Sequence, residues 1–324
     1  MVKIQRTSAF LIRWALVYCA AVLLLAPGSA AAQSRFSGIV AFGTSLSDPG
    51  NAFVLVGDAG TPPDFMLNPL LIPSAPYARG GHHFSNGATW VEQYGWSVGL
   101  GGSVQAALRS ADSGATNFAV GAARAYEDGL NFNLTRQVDT FLLRAGGVAD
   151  PQALYVIEMG SNDIRDGFQV YAGGGNGGPI LQAAIGSIAA NIQRLYAAGA
   201  REFLVWAAPN VALTPAIRSL GPAAGGLATS LTLAFNAGLA QVVAQLSAGL
   251  PGISLARLDT YQILNSIIND PAFSDLSNKT TACLTPNDAP FFCDHADEYL
   301  FWDGIHPTKA GHAILARETA IVLQ

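Results

Sequence analysis

The segment Gly38-Ile39-Val40-Ala41-Phe42-Gly43-Thr44-Ser45-Leu46-Ser47-Asp48-Pro49-Gly50-Asn51 joins two kinds of chain. Residues 38–42 form a short apolar run bounded by glycines, the pattern of a buried strand. From Gly43 onward the sequence turns to bend formers, with Ser45 just past the strand end. A hydroxyl held there faces a crevice instead of a core, because open α/β sheets build their ligand sites at the carboxyl ends of strands.

Similar apolar runs recur at residues 153–159, 202–207 and 253–258. Helical periodicity fills residues 180–198, 227–248 and 308–323, with a shorter helix over 89–94. Strands alternating with helices predict an α/β domain whose parallel sheet is covered on both faces. Residues 57–87, rich in proline and glycine, read as a loop that covers part of the crevice. Gly173, Gly175 and Gly178 match a dinucleotide-type spacing, but no strand feeds into them and no suitably placed acid follows. That match is chance.

Export is written at the start of the chain. Lys3, Arg6 and Arg13 precede an apolar stretch at 14–26 and the small residues Ala30-Ala31-Ala32. This is the pattern of a signal peptide over residues 1–32 cleaved after Ala32, with one domain over 33–324. The apolar stretch is shorter than the roughly 20 residues a membrane span needs. We therefore expect a secreted or periplasmic protein with no integral membrane segment in the mature chain. Cleavage leaves 14 basic against 22 acidic residues, a formal net charge of −8 in place of −5. Such acidity argues against nucleic acid and anionic membrane surfaces as partners. A charged content of 12% with 50% apolar residues suits apolar substrates. Oligomeric state is not legible.

Cys19 leaves with the signal, so Cys283 and Cys293 remain as a pair in an oxidising compartment. Their disulfide closes a short loop just upstream of His306, contributing about 3 kcal/mol in the chain-entropy view.

A hydroxyl nucleophile needs a base, a group to orient that base, and donors for the developing oxyanion. Asp303-Gly304-Ile305-His306 supplies the first two, since a carboxylate three residues before an imidazole can turn back to accept Nδ1–H. Gly160-Ser161-Asn162-Asp163 follows the run at 153–159, so the Asn162 amide lies at another strand end. The loop around Gly121 offers a backbone N–H. Serine, asparagine and an Asp–His pair at separate strand ends are hard to explain as ordinary turns.

Together these stretches resemble the GDSL, or SGNH, family of esterases and lipases. The resemblance runs through Gly43-Thr44-Ser45-Leu46, Asn117-Phe118-Ala119-Val120-Gly121-Ala122-Ala123-Arg124, Gly160-Ser161-Asn162-Asp163 and Asp303-Gly304-Ile305-His306-Pro307-Thr308. Phe84-Ser85-Asn86-Gly87 is also familiar for the family. It implies a three-layer α/β/α sandwich, flavodoxin-like, with a five-stranded parallel sheet. It assigns the nucleophile to Ser45, the base to His306 and the orienting group to Asp303. Its oxyanion donors fall on the backbone N–H of Ser45, the backbone N–H of Gly121 and the side chain of Asn162. No metal or organic cofactor is implied, and the partner is a small-molecule ester or lipid. One departure is Thr44, which stands where the family usually has aspartate and predicts altered packing of the turn.

Other motifs read more plainly. Gly95-Trp96-Ser97-Val98-Gly99 matches a nucleophile elbow, but its context is a helix and not a strand. His82 and His83 read as solvated loop residues, and His295 and His312 as structural. Asp48 and Asp163 are expected to anchor their loops through backbone hydrogen bonds. Asn133 and Asn278 open formal glycosylation sites, meaningful only in a eukaryotic secretory pathway. Three readings compete with a carboxylesterase or lipase: a sugar O-acetyl esterase, a phospholipase or acyltransferase, and an inactive secreted binding protein.

Overall fold

The computed structural model describes residues 34–57, 67–109, 114–285 and 291–324. The predicted signal segment and residues 58–66 of the proline-rich loop lie outside them. In chain order the regular elements are β1 (Ile39–Gly43), α1 (Asn51–Val56), α2 (Trp90–Ser97), α3 (Leu134–Arg144), β2 (Leu154–Glu158), α4 (Ser161–Ala172), α5 (Gly178–Ala198) and β3 (Glu202–Trp206). There follow α6 (Pro215–Ser219), α7 (Pro222–Gly249), β4 (Ser254–Leu258), α8 (Thr260–Asn269), β5 (Asn278–Ala282), β6 (Tyr299–Phe301) and α9 (Lys309–Val322).

The four apolar runs form one parallel sheet in the order β1-β2-β3-β4. Gly43 lies beside Glu158, Ile157 beside Val205, and Trp206 beside Leu258. Successive side chains point to opposite faces. Val40, Phe42, Tyr155, Ile157, Phe203 and Val205 enter one buried layer with residues of α3, α4, α5 and α7. Ile39, Ala41, Leu154, Val156, Leu204 and Trp206 enter the other, with residues of α2, α8 and α9. Both faces are covered, which is why these strands read as apolar without alternation. The result is the three-layer α/β/α arrangement.

The fifth parallel strand is an irregular edge on the far side of β1. Ala41 N–H donates to Thr116 O at 3.0 Å, Phe118 N–H to Ala41 O at 2.7 Å, and Val120 N–H to Gly43 O at 3.1 Å. Only one bridge of ladder geometry, Ala41 to Asn117, results, so the sheet has four regular strands. β5 and β6 make a separate two-stranded sheet. Chain leaving β1 first builds the 116–120 edge and then returns to β2 on the other side. That reversal creates a topological switch point, and the crevice of an open α/β sheet forms above it.

Two local devices finish the frame. The Gln137 side chain in α3 acts as a surrogate strand at the end of β1, its Oε1 accepting Gly43 N–H and its Nε2 donating to Gly43 O, each at 2.9 Å. Cys283 and Cys293 are joined by a disulfide. The segment holding it pairs with the chain before Asp303: Cys283 N–H donates to Phe301 O at 3.0 Å and Leu284 N–H to Trp302 O at 2.9 Å. Helix α7 is long and apolar enough to span a membrane by length and composition, and here its Leu231, Phe235, Leu239 and Val243 are buried in the first layer.

Gln137→Ala leaves the buried Gly43 N–H without its acceptor. Denaturant unfolding should show a loss of about 1–3 kcal/mol, the cost of one unsatisfied buried polar group. A loss below 0.5 kcal/mol by the same measure would mean that β1 holds its shape without this support.

Candidate active site

Ser45 lies two residues past the end of β1, and its Oγ lies 2.8 Å from His306 Nε2. The other ring nitrogen, Nδ1, lies 2.7 Å from Asp303 Oδ2. A carboxylate can only accept, so Nδ1 carries the proton and Nε2 is left to accept the Ser45 hydroxyl. Asp303 is fully buried and saturated. Its Oδ1 accepts Ile305 N–H at 2.8 Å and His306 N–H at 2.7 Å, while Oδ2 also accepts the Tyr77 hydroxyl at 2.7 Å. Burial and the Asp303 charge raise the Tyr77 pKa, keeping it a neutral donor. Tyr77 was not legible in the sequence as part of this set, since 226 positions separate it from Asp303.

The loop carrying His306 is held by close backbone contact. Gly304 N–H donates to Leu71 O at 2.8 Å, and a Cβ on Gly304 would sit 1.9 Å from Leu70 O. Only glycine fits there. Phe84 backs the imidazole, with ring centroids 5.4 Å apart.

Asn162 opens α4 after β2, is buried, and donates one Nδ2–H to Ala123 O at 2.8 Å. An amide nitrogen has two hydrogens, so one stays available. Ser45 N–H has no acceptor among the described residues. Gly121 differs. Its N–H donates to Asp48 Oδ2 at 2.8 Å, and the residue does not line the crevice. The structure thus brings Ser45, Asp303, His306 and Asn162 together and commits the Gly121 donor to another partner.

Beside Ser45 and His306 runs a crevice of about 140 Å³, whose wall includes Leu70, Ile72, Phe168, Val211, Ile217 and Leu220. Leu70 and Ile72 belong to the proline-rich segment, which therefore does cover part of it.

A model of the GDSL-like lipase/acylhydrolase family matches residues 39–319. The chain belongs to this family. A GDSL esterase/lipase of Arabidopsis thaliana is 27% identical over 181 residues, covering 51% of this chain and 52% of the relative. Another from the same plant is 25% identical over 336 residues, covering 91% of this chain and 88% of the relative. In the first of these matches the chain spans about half the length of the curated relative, as it does with two further Arabidopsis GDSL enzymes. An α/β hydrolase from the metagenome of Lake Arreo, Spain, aligns over 90% of this chain and 96% of its own, at 11% identity and a TM-score of 0.44.

Within the GDSL frame, the Thr44 departure has a structural counterpart. Thr44 N–H donates to Glu158 Oε2 at 2.9 Å, and its hydroxyl lies 3.0 Å from the same oxygen. Ser47 Oγ reaches Glu158 at 3.1 Å and accepts Trp90 Nε1–H at 2.9 Å. Glu158 is buried at the end of β2, and a Cβ on Gly43 would come within 2.9 Å of its Oε2. A second carboxylate at position 44 would press two buried negative charges together. Threonine instead donates. Burial pushes the Glu158 carboxyl up to about 7, against the hydrogen bonds that lower it.

The anchoring roles of the two aspartates hold. Asp48 accepts the N–H groups of Gly50, Asn51, Ala52 and Gly121, and burial lifts its pKa to about 6. Asp163 accepts those of Ala125 and Tyr126, with burial again raising it to about 6. Ser97 donates within its own helix to Tyr94 O, far from any base. The reading of His82 and His83 as solvated needs correction. His83 is buried, with Nε2 2.9 Å from Glu92 Oε2 and Nδ1 2.7 Å from Gly80 O. Burial draws its pKa down, but the Glu92 hydrogen bond and charge outweigh that and leave it raised. His82 stacks on Phe53 with centroids 3.5 Å apart. The signal was available: Thr89 and Glu92 form a capping box whose glutamate faces the preceding loop. His312 is buried in α9, and that burial drives its pKa down to about 3. His295 is exposed. Asn133 is fully buried, its side chain bonded to Arg124 N–H and Asp128, which leaves no room for a glycan.

Because Glu158 holds its proton more tightly folded than unfolded, its contribution to stability is complete below about 4.5 and is lost as pH rises to about 7. Glu158→Gln should flatten that segment of the stability curve, measured by urea unfolding at several pH values. An unchanged slope between pH 4.5 and 7 would remove Glu158 as its source.

Proposed function

We propose that the protein is an exported serine hydrolase that cleaves carboxylic esters through an acyl-enzyme on Ser45. One observation carries the reading: the unbroken chain Ser45 Oγ, His306 Nε2, His306 Nδ1, Asp303 Oδ2, with links of 2.8 and 2.7 Å. His306 takes the hydroxyl proton as Ser45 Oγ bonds to the acyl carbon, and the carbonyl electron pair moves onto oxygen. Collapse of that intermediate breaks the ester C–O bond, and the departing alkoxide takes the proton from His306. Water then repeats the sequence, with His306 as base, and releases the acid and free Ser45.

The developing oxyanion is held by Ser45 N–H and the second Nδ2–H of Asn162. Gly121 N–H would join them only by exchanging its bond to Asp48. The apolar wall beside Ser45 suits the acyl chain of short-chain esters or lipids over the sugar ring of an acetylated glycan. Export is supported by the Cys283–Cys293 disulfide, a bond that persists in oxidising compartments, and the small residues ending at Ala32 are the proposed cleavage site. Residues 33–324 then form one hydrolase domain with small-molecule esters as partners.

Asn162→Ala should lower turnover of 4-nitrophenyl butyrate about 10²–10³-fold, while freeing the buried Ala123 O costs about 1–3 kcal/mol of unfolding free energy and leaves the enzyme folded at the assay temperature. Retention of full turnover would remove Asn162 from the oxyanion site. His306→Ala should lower turnover by at least 10³-fold in the same assay, and survival of that activity would exclude His306 as the base.

A further inference from the structure

The wall of the crevice carries one group that hydrolysis of a neutral ester does not use. Arg165 sits on α4, one turn beyond Asn162 and on the same face of the helix, and its side chain lines the crevice with Ser45, Asn162 and His306. It makes no hydrogen bond or ion pair among the described residues. The nearest carboxylates are already committed. Asp166 is held by Arg124 at 2.9 and 3.1 Å and by the Tyr126 hydroxyl at 2.9 Å. Asp163 is spent on the N–H groups of Ala125 and Tyr126.

Its guanidinium stands on a largely apolar wall, beside Leu46, Phe168 and Ile217, half-buried and without a hydrogen bond among the described residues. Burial and then the Arg124 charge work against its protonated form, the Asp166 and Asp163 charges favour it, and it stays charged. Its five N–H donors are unfilled, and a bound anion would supply the directly bonded counter-charge that the wall lacks. The planar fork of arginine fits two oxygens of a phosphate or carboxylate side by side. Positions three apart on a helix lie about 5–6 Å from one another. Both side chains line one crevice, so an anion on Arg165 would share it with an ester carbonyl held at Asn162.

We propose that Arg165 is an anion subsite and that the preferred substrates are acyl esters bearing a phosphate or carboxylate a few bonds from the scissile carbonyl. The acyl chain lies along the apolar wall and the anionic oxygens bind the guanidinium. This assignment rests on the ester-hydrolase reading above and narrows its substrate class.

The test compares matched esters in the full-length enzyme. A 1-acyl lysophosphatidylglycerol is set against the monoacylglycerol of the same chain, and mono-4-nitrophenyl glutarate against 4-nitrophenyl butyrate. The wild type should prefer the anionic member of at least one pair by about tenfold in kcat/KM, chiefly through KM, with the preference shrinking as salt rises. The pair showing it tells phosphate from carboxylate. Arg165→Gln should bring that ratio to near one, and Arg165→Lys should keep an intermediate value. A wild type that favours neither anionic ester overturns the assignment without any variant. So does an Arg165→Gln enzyme that loses anionic and neutral rates in equal proportion. Failure of the hydrolase reading itself looks different, since the wild type would then cleave none of the four esters.

Discussion

The contact between Ser45 Oγ and His306 Nε2 joins positions 261 residues apart, and most of the architecture serves to hold it. A serine hydroxyl alone is a poor nucleophile, so its chemistry depends on an imidazole held within hydrogen-bond reach in one tautomer. Each end of the contact is fixed by separate means. Ser45 is set by β1, whose last residue is gripped by Gln137, and by the 116–120 edge that bonds to Ala41 and Gly43. His306 is set by a saturated Asp303, by the Gly304 backbone pressed on Leu70 and Leu71, and by the disulfide-bearing segment paired to residues 301 and 302. Asp303 apart, none of these devices bonds to the Ser45 hydroxyl or the His306 ring. All of them decide where such atoms lie.

Beneath the nucleophile turn lies a second buried network, formed by Trp90, Ser47, Glu158 and Thr44. It explains how a GDSL-family chain carries threonine in place of the usual aspartate. In this chain the carboxylate beside the turn belongs to Glu158 on β2, and Thr44 donates to it. The pair Thr44 and Glu158 acts as a unit, with a raised glutamate pKa as its electrostatic cost. Asp48 and Asp163 serve as receivers for backbone N–H groups, so the loops after β1 and after Gly121 are pinned without regular structure.

How much of this could be read from the chain follows from the range of each interaction. Strands that are apolar on both faces announce themselves locally, and β1 to β4 fall within one residue of the runs at 38–42, 153–159, 202–207 and 253–258. The Asp303–His306 pair is equally local. Thr44 and Glu158 are 114 positions apart, and Tyr77 and Asp303 are 226 apart, so neither pairing leaves a trace in any short window. His83 was misjudged because a charged residue in a glycine-rich loop looks solvated, while its partner lies in the next helix. Gly121 was expected to be a free donor, and the competing carboxylate of Asp48 comes from a different loop. Arg165 is a harder case still, since what marks it is the lack of a hydrogen bond among the described residues, visible only once its neighbours are seen to be occupied.

The most direct test of the account is chemical. Treatment with a fluorophosphonate, followed by proteolysis and peptide mass analysis, reports which hydroxyl in the protein is activated. The account predicts one equivalent of label on the peptide containing Ser45 and parallel loss of ester hydrolysis. Label on Ser97, Ser161 or another hydroxyl, or full activity with Ser45 modified, would contradict it.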